Sequence, residues 1–537
     1  MAFKLNENQQ LTINDSFNKQ TARTKKIVRD SWAGDFADMV FPAINEERFS
    51  VLYSDKKASR PNTPINVIVG ALMLKENNGM SDEELVQSLC CDVRFQYALH
   101  TTSYVEQPVS DRTFSRFRER VAAYKTMTGR DLLDEAFAEL NEVYMKYMNL
   151  HSNIKRMDSL MIASRCKRMS RLEIIYQTTA NAVRLIHRLG HDELLTTDLL
   201  HYMDAEDYNE VIYYCKGEDV VPRLEKALRE AAAVLKIMED DEWHGFSEYQ
   251  LLVRVLAEQS EEAEDGNPVP KADSDISSKS LQNPSDPDAT FRSKAGKSHK
   301  GYVGNVTETM GENGDSLITD FSLAPNTHSD SEFCREYLEK RPEDAEAETL
   351  ITDGAYGSLE NQELAESKNV TLVTTALTGK LPEKFLAGFR FTEDGSKVTS
   401  CPMGHEPEKC TYYPKTGVCR AQFSKTCCAN CPHREECQAK EQKKTYAVYI
   451  SKTKAARAAY LKKLSSEEYL GLTRKRNAVE GVMSVLRRKY RIDQLPVYGL
   501  ERSMQFIQFK IAAYDFNKFL RHMRRTRVES AQDAAIA

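Results

Sequence analysis

The sequence predicts an α/β chain: a mixed sheet interrupted by a helical insertion, preceded by an all-α region and carrying a small cysteine-rich insert. Three observations carry this reading. Short apolar runs bounded by turn residues, at 154–164, 301–310, 316–323, 348–354 and 369–376, have the length and β-branched content of strands. Before residue 150, and again from Ser170 to about Leu256, apolar residues recur at helical spacing instead. Seven of the twelve cysteines crowd between Cys401 and Cys437, and in an intracellular chain such clustering points to a metal before it points to disulfides.

Taken in order, residues 1 to about 25 are polar and read as loosely held. Pro64 opens a helix in which Ile65, Ile68, Val69, Leu72 and Met73 form one apolar stripe, ending near Asn77-Asn78-Gly79. Ser81 and Glu84 form a capping box for a second helix through about Leu89. A third begins at Ser110 and places Phe114, Phe117 and Val121 on one face, with Arg112, Arg116, Arg118 and Arg120 largely on others. Three short helices with an arginine-studded last member suit a helix-turn-helix-like DNA reader over residues 1–150, although an ordinary helical bundle has the same pattern. The first strand and its flanks fill 151–169, and a helical insertion with an acidic, Ser/Asp/Pro-rich linker spans 170–284. Three more strand-like runs, a helix at about Asp330–Lys340 between the second and third of them, and a last strand complete the sheet over 285–376. A cysteine-rich insert (377–450) and a basic helical region (451–527) follow.

At 537 residues the chain is long enough for about three or four domains. A net charge of -6 argues against an indiscriminate nucleic-acid coat protein, but the distribution matters more than the sum. Arg474–Arg527 holds 14 Lys and Arg against four acids, whereas Glu258–Asp288 holds nine acids and two lysines. The first is a candidate phosphate-facing surface. No stretch approaches the roughly 20 apolar residues of a membrane span and the N-terminus lacks the apolar core of a secretory signal, so a cytoplasmic protein without membrane contact is expected.

Three carboxylates stand in the local settings a two-metal phosphodiester-cleaving site needs. Asp158 lies in the first strand, Asp353 ends the strand E-T-L-I-T-D-G, where Gly354 supplies the turn, and Glu480 lies in a helix read over 474–490 with Ala478, Val479, Val482, Met483 and Leu486 at helical spacing. If they converge, they can hold two Mg²⁺ or Mn²⁺ ions roughly 3.5 to 4 Å apart, one activating the attacking oxygen and the other steadying the leaving one. Asp320 and Asp330 are the nearest competitors, and solvated or helix-capping roles are expected for both; His299 and Lys300 read as surface residues. In the cysteine cluster, Cys401, Cys428, Cys431 and Cys437 are the candidate ligands of a closed structural Zn²⁺ site, with Cys410, Cys419, Cys427, His405 and His433 as alternatives. An iron–sulfur cluster or plain reduced thiols are the other readings.

Several segments resemble the DDE-type insertion-sequence transposases, which have an RNase H-like catalytic core. R-P-N-T-P-I-N-V-I-V-G-A-L-M-L-K through S-D-R-T-F-S-R-F resembles their InsH-type N-terminal domain, T-D-G-A-Y-G-S-L-E-N (352–361) their second-aspartate segment, and R-N-A-V-E-G-V-M-S-V-L-R-R-K-Y their Y-R-E-K signature. The signature tyrosine is replaced by Thr473 and its lysine by Arg487, which keeps the charge but not the point geometry. The resemblance implies binding of double-stranded DNA at terminal inverted repeats, strand cleavage and transfer to target DNA, and a homodimer or higher oligomer. Asp158, Asp353 and Glu480 would then be the catalytic triad, with Arg476 steering a phosphate and Arg487 or Arg488 adding to that clamp. Two other readings are a domesticated DNA-binding protein that keeps the fold without cleavage, and a hydrolase using the cysteine-bound zinc. A closed four-thiolate site disfavours the latter.

Overall fold

The structure is a computed structural model and describes residues 1–7, 15–54, 60–104, 107, 109–294, 296–311, 313–375 and 379–536. The N-terminal part is helical: α1 (Ile65–Asn78), α2 (Asp82–Cys91), α3 (Asp111–Thr128) and α4 (Leu132–Tyr147), with a further short helix at Val93–Ala98. The Ser81–Glu84 capping box forms as expected. The single stripe expected on α1 does not, because Ile65 through Glu76 are all buried; a helix buried on every side sits in the middle of its layer. Nor is the N-terminus loose throughout, since Phe17 is fully buried and packs tilted against the Tyr97 ring.

β1 (Ile154–Ala163) leads into the insertion, where α5 (Arg171–Arg188), α6 (Val220–Ile237) and α7 (Ser247–Gln259) close a separate core around Trp243. The acidic stretch after it is folded rather than tethering. Ser260–Glu262 pairs with Pro268–Pro270, Leu281 joins the insertion's core, and the Arg254 guanidinium donates to the Pro287 and Lys279 carbonyls. Its acids serve as local acceptors: Glu258 takes the Leu281 N–H at 2.7 Å, and buried Asp286 takes the hydroxyls of Tyr302 and Ser164. Composition alone registers such carboxylates only as charge.

β2 (Thr290–Lys294), β3 (Lys297–Met310), β4 (Ser316–Pro325), β5 (Glu348–Thr352) and β6 (Val370–Thr374) complete a six-stranded mixed sheet of order β2-β3-β1-β5-β6, with β4 also on β3. β3 runs antiparallel to β1, while β1, β5 and β6 are parallel. Gly301, at φ +140°, lets β3 cross close to β1, where a Cβ would lie 2.4 Å from the Ile162 carbonyl oxygen. α8 (Asp330–Lys340) and α9 (Leu359–Ser367) join the later strands and cover one face, packing Phe333 and Leu338 on Met157 and Val303. The strand expected to run to Ala376 and the insert boundary at 377 reach residues outside those described.

The cysteine region forms a four-stranded antiparallel sheet from β7 (Lys409–Tyr413), β8 (Val418–Ser424), β9 (Lys440–Glu441) and β10 (Thr445–Ile450), in the order β7-β8-β10-β9. α10 (Lys452–Leu464), α11 (Glu467–Arg476), α12 (Val479–Arg488) and α13 (Leu500–Ile536) end the chain. The helix expected over 474–490 is therefore two, broken at Asn477–Ala478. α12 lays Val479, Val482, Met483 and Leu486 on the β1 face that carries Leu160 and Ile162. α13 has two buried sides: Phe509, Phe516 and Phe519 enter the N-terminal helical core, while Ile507, Ile511 and Tyr514 enter the sheet's. Among the described residues no helix is long and apolar enough to cross a membrane.

Candidate active site

Side chains alternate along a strand, so Arg156 and Asp158 share the β1 face covered by α12. The Arg476 guanidinium, at the last position of α11, places one nitrogen 3.1 Å from Asp158 Oδ2 and 3.8 Å from Asp353 Oδ2. Two of the three expected carboxylates thus meet around one cation. Asp158 also accepts the Ser159 N–H at 2.9 Å. Burial pushes its pKa up, Arg476 and the Ser159 N–H oppose that, and the charges of Asp353 and Asp330 add to it.

Asp353 caps a 3-10 turn, Gly354–Tyr356, by accepting the Ala355 N–H at 3.0 Å. The strand stops there through this cap; Gly354 has no left-handed backbone. The rest of the T-D-G-A-Y-G-S-L-E-N segment is packing. Tyr356 is fully buried and donates to Asn305 Oδ1 at 2.8 Å. Gly357 passes Thr374 so closely that a Cβ would come within 2.5 Å of its methyl. Ser358 caps α9, and Asn361 donates to the Tyr356 and Ser331 carbonyls.

Glu480 is exposed in the first turn of α12, just across the Asn477–Ala478 break from Arg476. No hydrogen bond or ion pair joins it to either aspartate. Among the described residues, no group of three or more His, Cys, Asp or Glu side chains is arranged to hold a metal ion. The aspartate pair nevertheless suits a hard divalent cation chemically: both groups are oxygen donors, and they already converge on a positive charge.

Two further residues belong here that sequence reasoning missed or misjudged. Arg156 donates to Glu308 Oε2 at 2.6 Å and to the Lys475 carbonyl at 3.0 Å, so β1 holds the end of α11 that carries Arg476. Its signal was an arginine two residues before Asp158 inside an apolar run. Asp330 is neither solvated nor a cap. It lies in the first turn of α8, behind the Ser329 cap, is 8% exposed, and leaves Oδ1 without a hydrogen-bond partner. Its helix packs on the Gly354–Tyr356 turn. Asp320 is on the other face of the sheet, opposite Thr307, and burial raises its pKa.

Of the arginines, Arg112 and Arg116 are exposed on α3, but Arg118 is committed internally: it pairs with Asp82 and lies 5.0 Å over the Phe506 ring. Arg487 and Arg488 are exposed at the end of α12. Arg487 borders a cleft of about 330 Å³ together with Met161, Arg168, His299 and Lys300, so the last two are less peripheral than expected.

In the cysteine region, Cys401, Cys427, Cys428, Cys431 and Cys437 surround one small cavity with His405. Burial, then the neighbouring thiols, push Cys428 up to about 11 and Cys437 up to about 12. Cys419 lies apart, its thiol directed to the Gly395 and Ser396 carbonyls, while His433 stacks on Phe385 and binds Glu436. All twelve thiols are free.

Two family models match the chain: a "Transposase domain (DUF772)" over residues 28–120 and a "Transposase DDE domain" over residues 400–520. The first takes in α1, α2 and most of the arginine-bearing α3. The second takes in the cysteine region, Arg476, Glu480 and part of α13. Both matched models are of transposase domains, and together they support an insertion-sequence DDE transposase. The searches of curated proteins and of solved structures return no match.

Proposed function

We propose that this transposase binds the terminal inverted repeats of its own element as double-stranded DNA, cleaves at the ends, and joins the freed 3'-hydroxyls to target DNA. The observation that carries this reading is the convergence of Asp158 and Asp353, from two parallel neighbouring strands, on the Arg476 guanidinium beside the helix that bears Glu480. The sheet order, β3 antiparallel and β5 and β6 parallel to β1, is the one an RNase H-like core uses. Asp158, Asp353 and Glu480 would hold divalent ions, Mg²⁺ or Mn²⁺, which would supply Lewis acidity for displacement at phosphorus.

The protein's own groups do the rest. Arg156 fixes the end of α11, Arg476 offers a planar fork to a nonbridging phosphate oxygen, and Arg487 and Arg488 extend the positive surface along α12. Arg112 and Arg116, early in α3, meet the DNA bases or backbone of the element's end; Arg118 holds α3 to α2 and α13. Coordinated cleavage of two ends calls for at least two chains. Cys401, Cys428, Cys431 and Cys437 would hold a structural Zn²⁺ that closes the insert.

The test is a nicking assay on DNA carrying the element's ends, with Mg²⁺ or Mn²⁺. Asp158→Asn, Asp353→Asn and Glu480→Gln should each abolish cleavage and leave end binding nearly intact. Wild-type nicking by any one of them removes that residue from the site. End binding by the wild-type protein with no cleavage under either ion would favour a DNA-binding protein that has lost the reaction.

A further inference from the structure

A cleft of about 560 Å³ opens between the start of β1, the β3–β4 turn, α12 and α13. Its walls are cationic. Arg156, Lys475, Lys489, Lys518 and Arg521 line it against one carboxylate among the described residues, Asp315, and Asp315 is already occupied by His522 at 2.8 Å and Arg525 at 2.6 Å. Arg156 is spent on Glu308, and Lys518 donates to Ser316 Oγ at 3.0 Å. Lys475, Lys489 and Arg521 form no ion pair among the described residues. Lys489 lies 4.9 Å over the Tyr490 ring, and burial, with Arg521 nearby, lowers its pKa.

Like charges gathered in a concave, partly enclosed site focus a positive potential that an anion relieves. The α12 wall is also bare, because a Cβ on Gly481 would meet nothing within 4 Å and Ala478 is exposed. The cleft begins one residue from the active site: Lys475 lines it, while Arg476 turns to Asp158 and Asp353. Consecutive helical residues point about 100° apart, so one helix end serves both.

We propose that this cleft seats the sugar–phosphate backbone of the DNA strand next to the scissile phosphate, with Lys475, Lys489 and Arg521 as its phosphate contacts. This rests on the DNA-cleaving reading above and adds where the strand runs. The experiment compares the full chain with a Lys475→Ala/Lys489→Ala/Arg521→Ala variant, titrated against one fluorescent oligonucleotide as duplex and as single strand over a series of salt concentrations. Three lost phosphate contacts should flatten the slope of log K against log[salt] by about 2.7 on duplex or about 2.1 on single strand.

An unchanged slope on both forms overturns the proposal. So does a loss of affinity that inorganic phosphate at millimolar concentration reproduces in the wild type, which would mark a small-anion site. Should the triple variant unfold, benzoylphenylalanine at Ala478 in an otherwise wild-type chain must photocross-link to nucleotides beside the cut; cross-links confined to distant positions, or none, refute the placement. The two readings fail separately. Asp158→Asn cleaving normally would refute the chemistry, whereas an unchanged salt slope together with an inactive Asp158→Asn removes only the cleft.

Discussion

Replacing Arg156 tests both the stability of the core and the placement of the site. Arg156 is 5% exposed, and its guanidinium faces Glu308, which is fully buried. Glu308 has little else: Oε1 lacks a hydrogen-bond partner, and Lys518 stands 3.9 Å away. Arg156→Met therefore strands a buried carboxylate, at a cost of about 3 to 5 kcal/mol. Arg156→Met/Glu308→Leu removes both charges and should recover most of that loss, since apolar replacements of buried pairs are often neutral or better. The double variant still lacks the donor to the Lys475 carbonyl, so α11 is less firmly held and Arg476 drifts from the aspartates. A displacement near 1 Å can lower a rate by about 100-fold. Urea unfolding should rank the proteins wild type, double variant, Arg156→Met, and nicking with Mn²⁺ should show the double variant folded but slow. An Arg156→Met cost below about 1 kcal/mol would refute the buried-pair argument, and wild-type nicking by the double variant would refute the positioning role.

Other outcomes follow from single contacts. Glu46 accepts the backbone N–H groups of Asn6 at 3.0 Å and Ile65 at 2.9 Å, at the start of α1; Glu46→Ala should lower stability by at least about 2 kcal/mol, and an unchanged thermal midpoint would contradict this. Gly301→Ala forces a Cβ onto the β1 backbone and should cost about 1 to 3 kcal/mol, read from the same unfolding curves. Purified protein should contain about one zinc per chain, lost on Cys428→Ser or Cys437→Ser and retained on Cys419→Ser; metal analysis showing iron, or zinc unaffected by Cys428→Ser, would be the contrary result. Arg112→Ala/Arg116→Ala should reduce preference for the element's ends by roughly 1 to 3 kcal/mol per lost base contact, with scrambled duplex bound nearly as before. Equal losses on both duplexes would reduce α3 to a phosphate contact.

Sequence by itself determined the elements whose cause is local. β1 and β5 are short apolar runs, α2 carries its capping box, and α8 spans the expected Asp330–Lys340. The helical insertion after β1 was legible because strand and helix periods differ over tens of residues. The two aspartates were legible through their strand settings, Asp158 inside β1 and Asp353 directly after β5. Only the tertiary structure decided what depends on partners distant in sequence. Arg118 looked like another base-reading arginine until Asp82 and Phe506 claimed it. The acids after Leu256 looked like a linker until Leu281, Tyr302 and Ser164 used them as acceptors. The 474–490 segment has one helical period, yet its chain turns at Asn477–Ala478 as the Arg156 guanidinium, 319 residues away in sequence, binds the Lys475 carbonyl. Periodicity reports which side of an element is apolar. It carries no information about which distant donor meets which carbonyl or carboxylate, and those long-range pairings bring Asp158, Asp353 and Arg476 together.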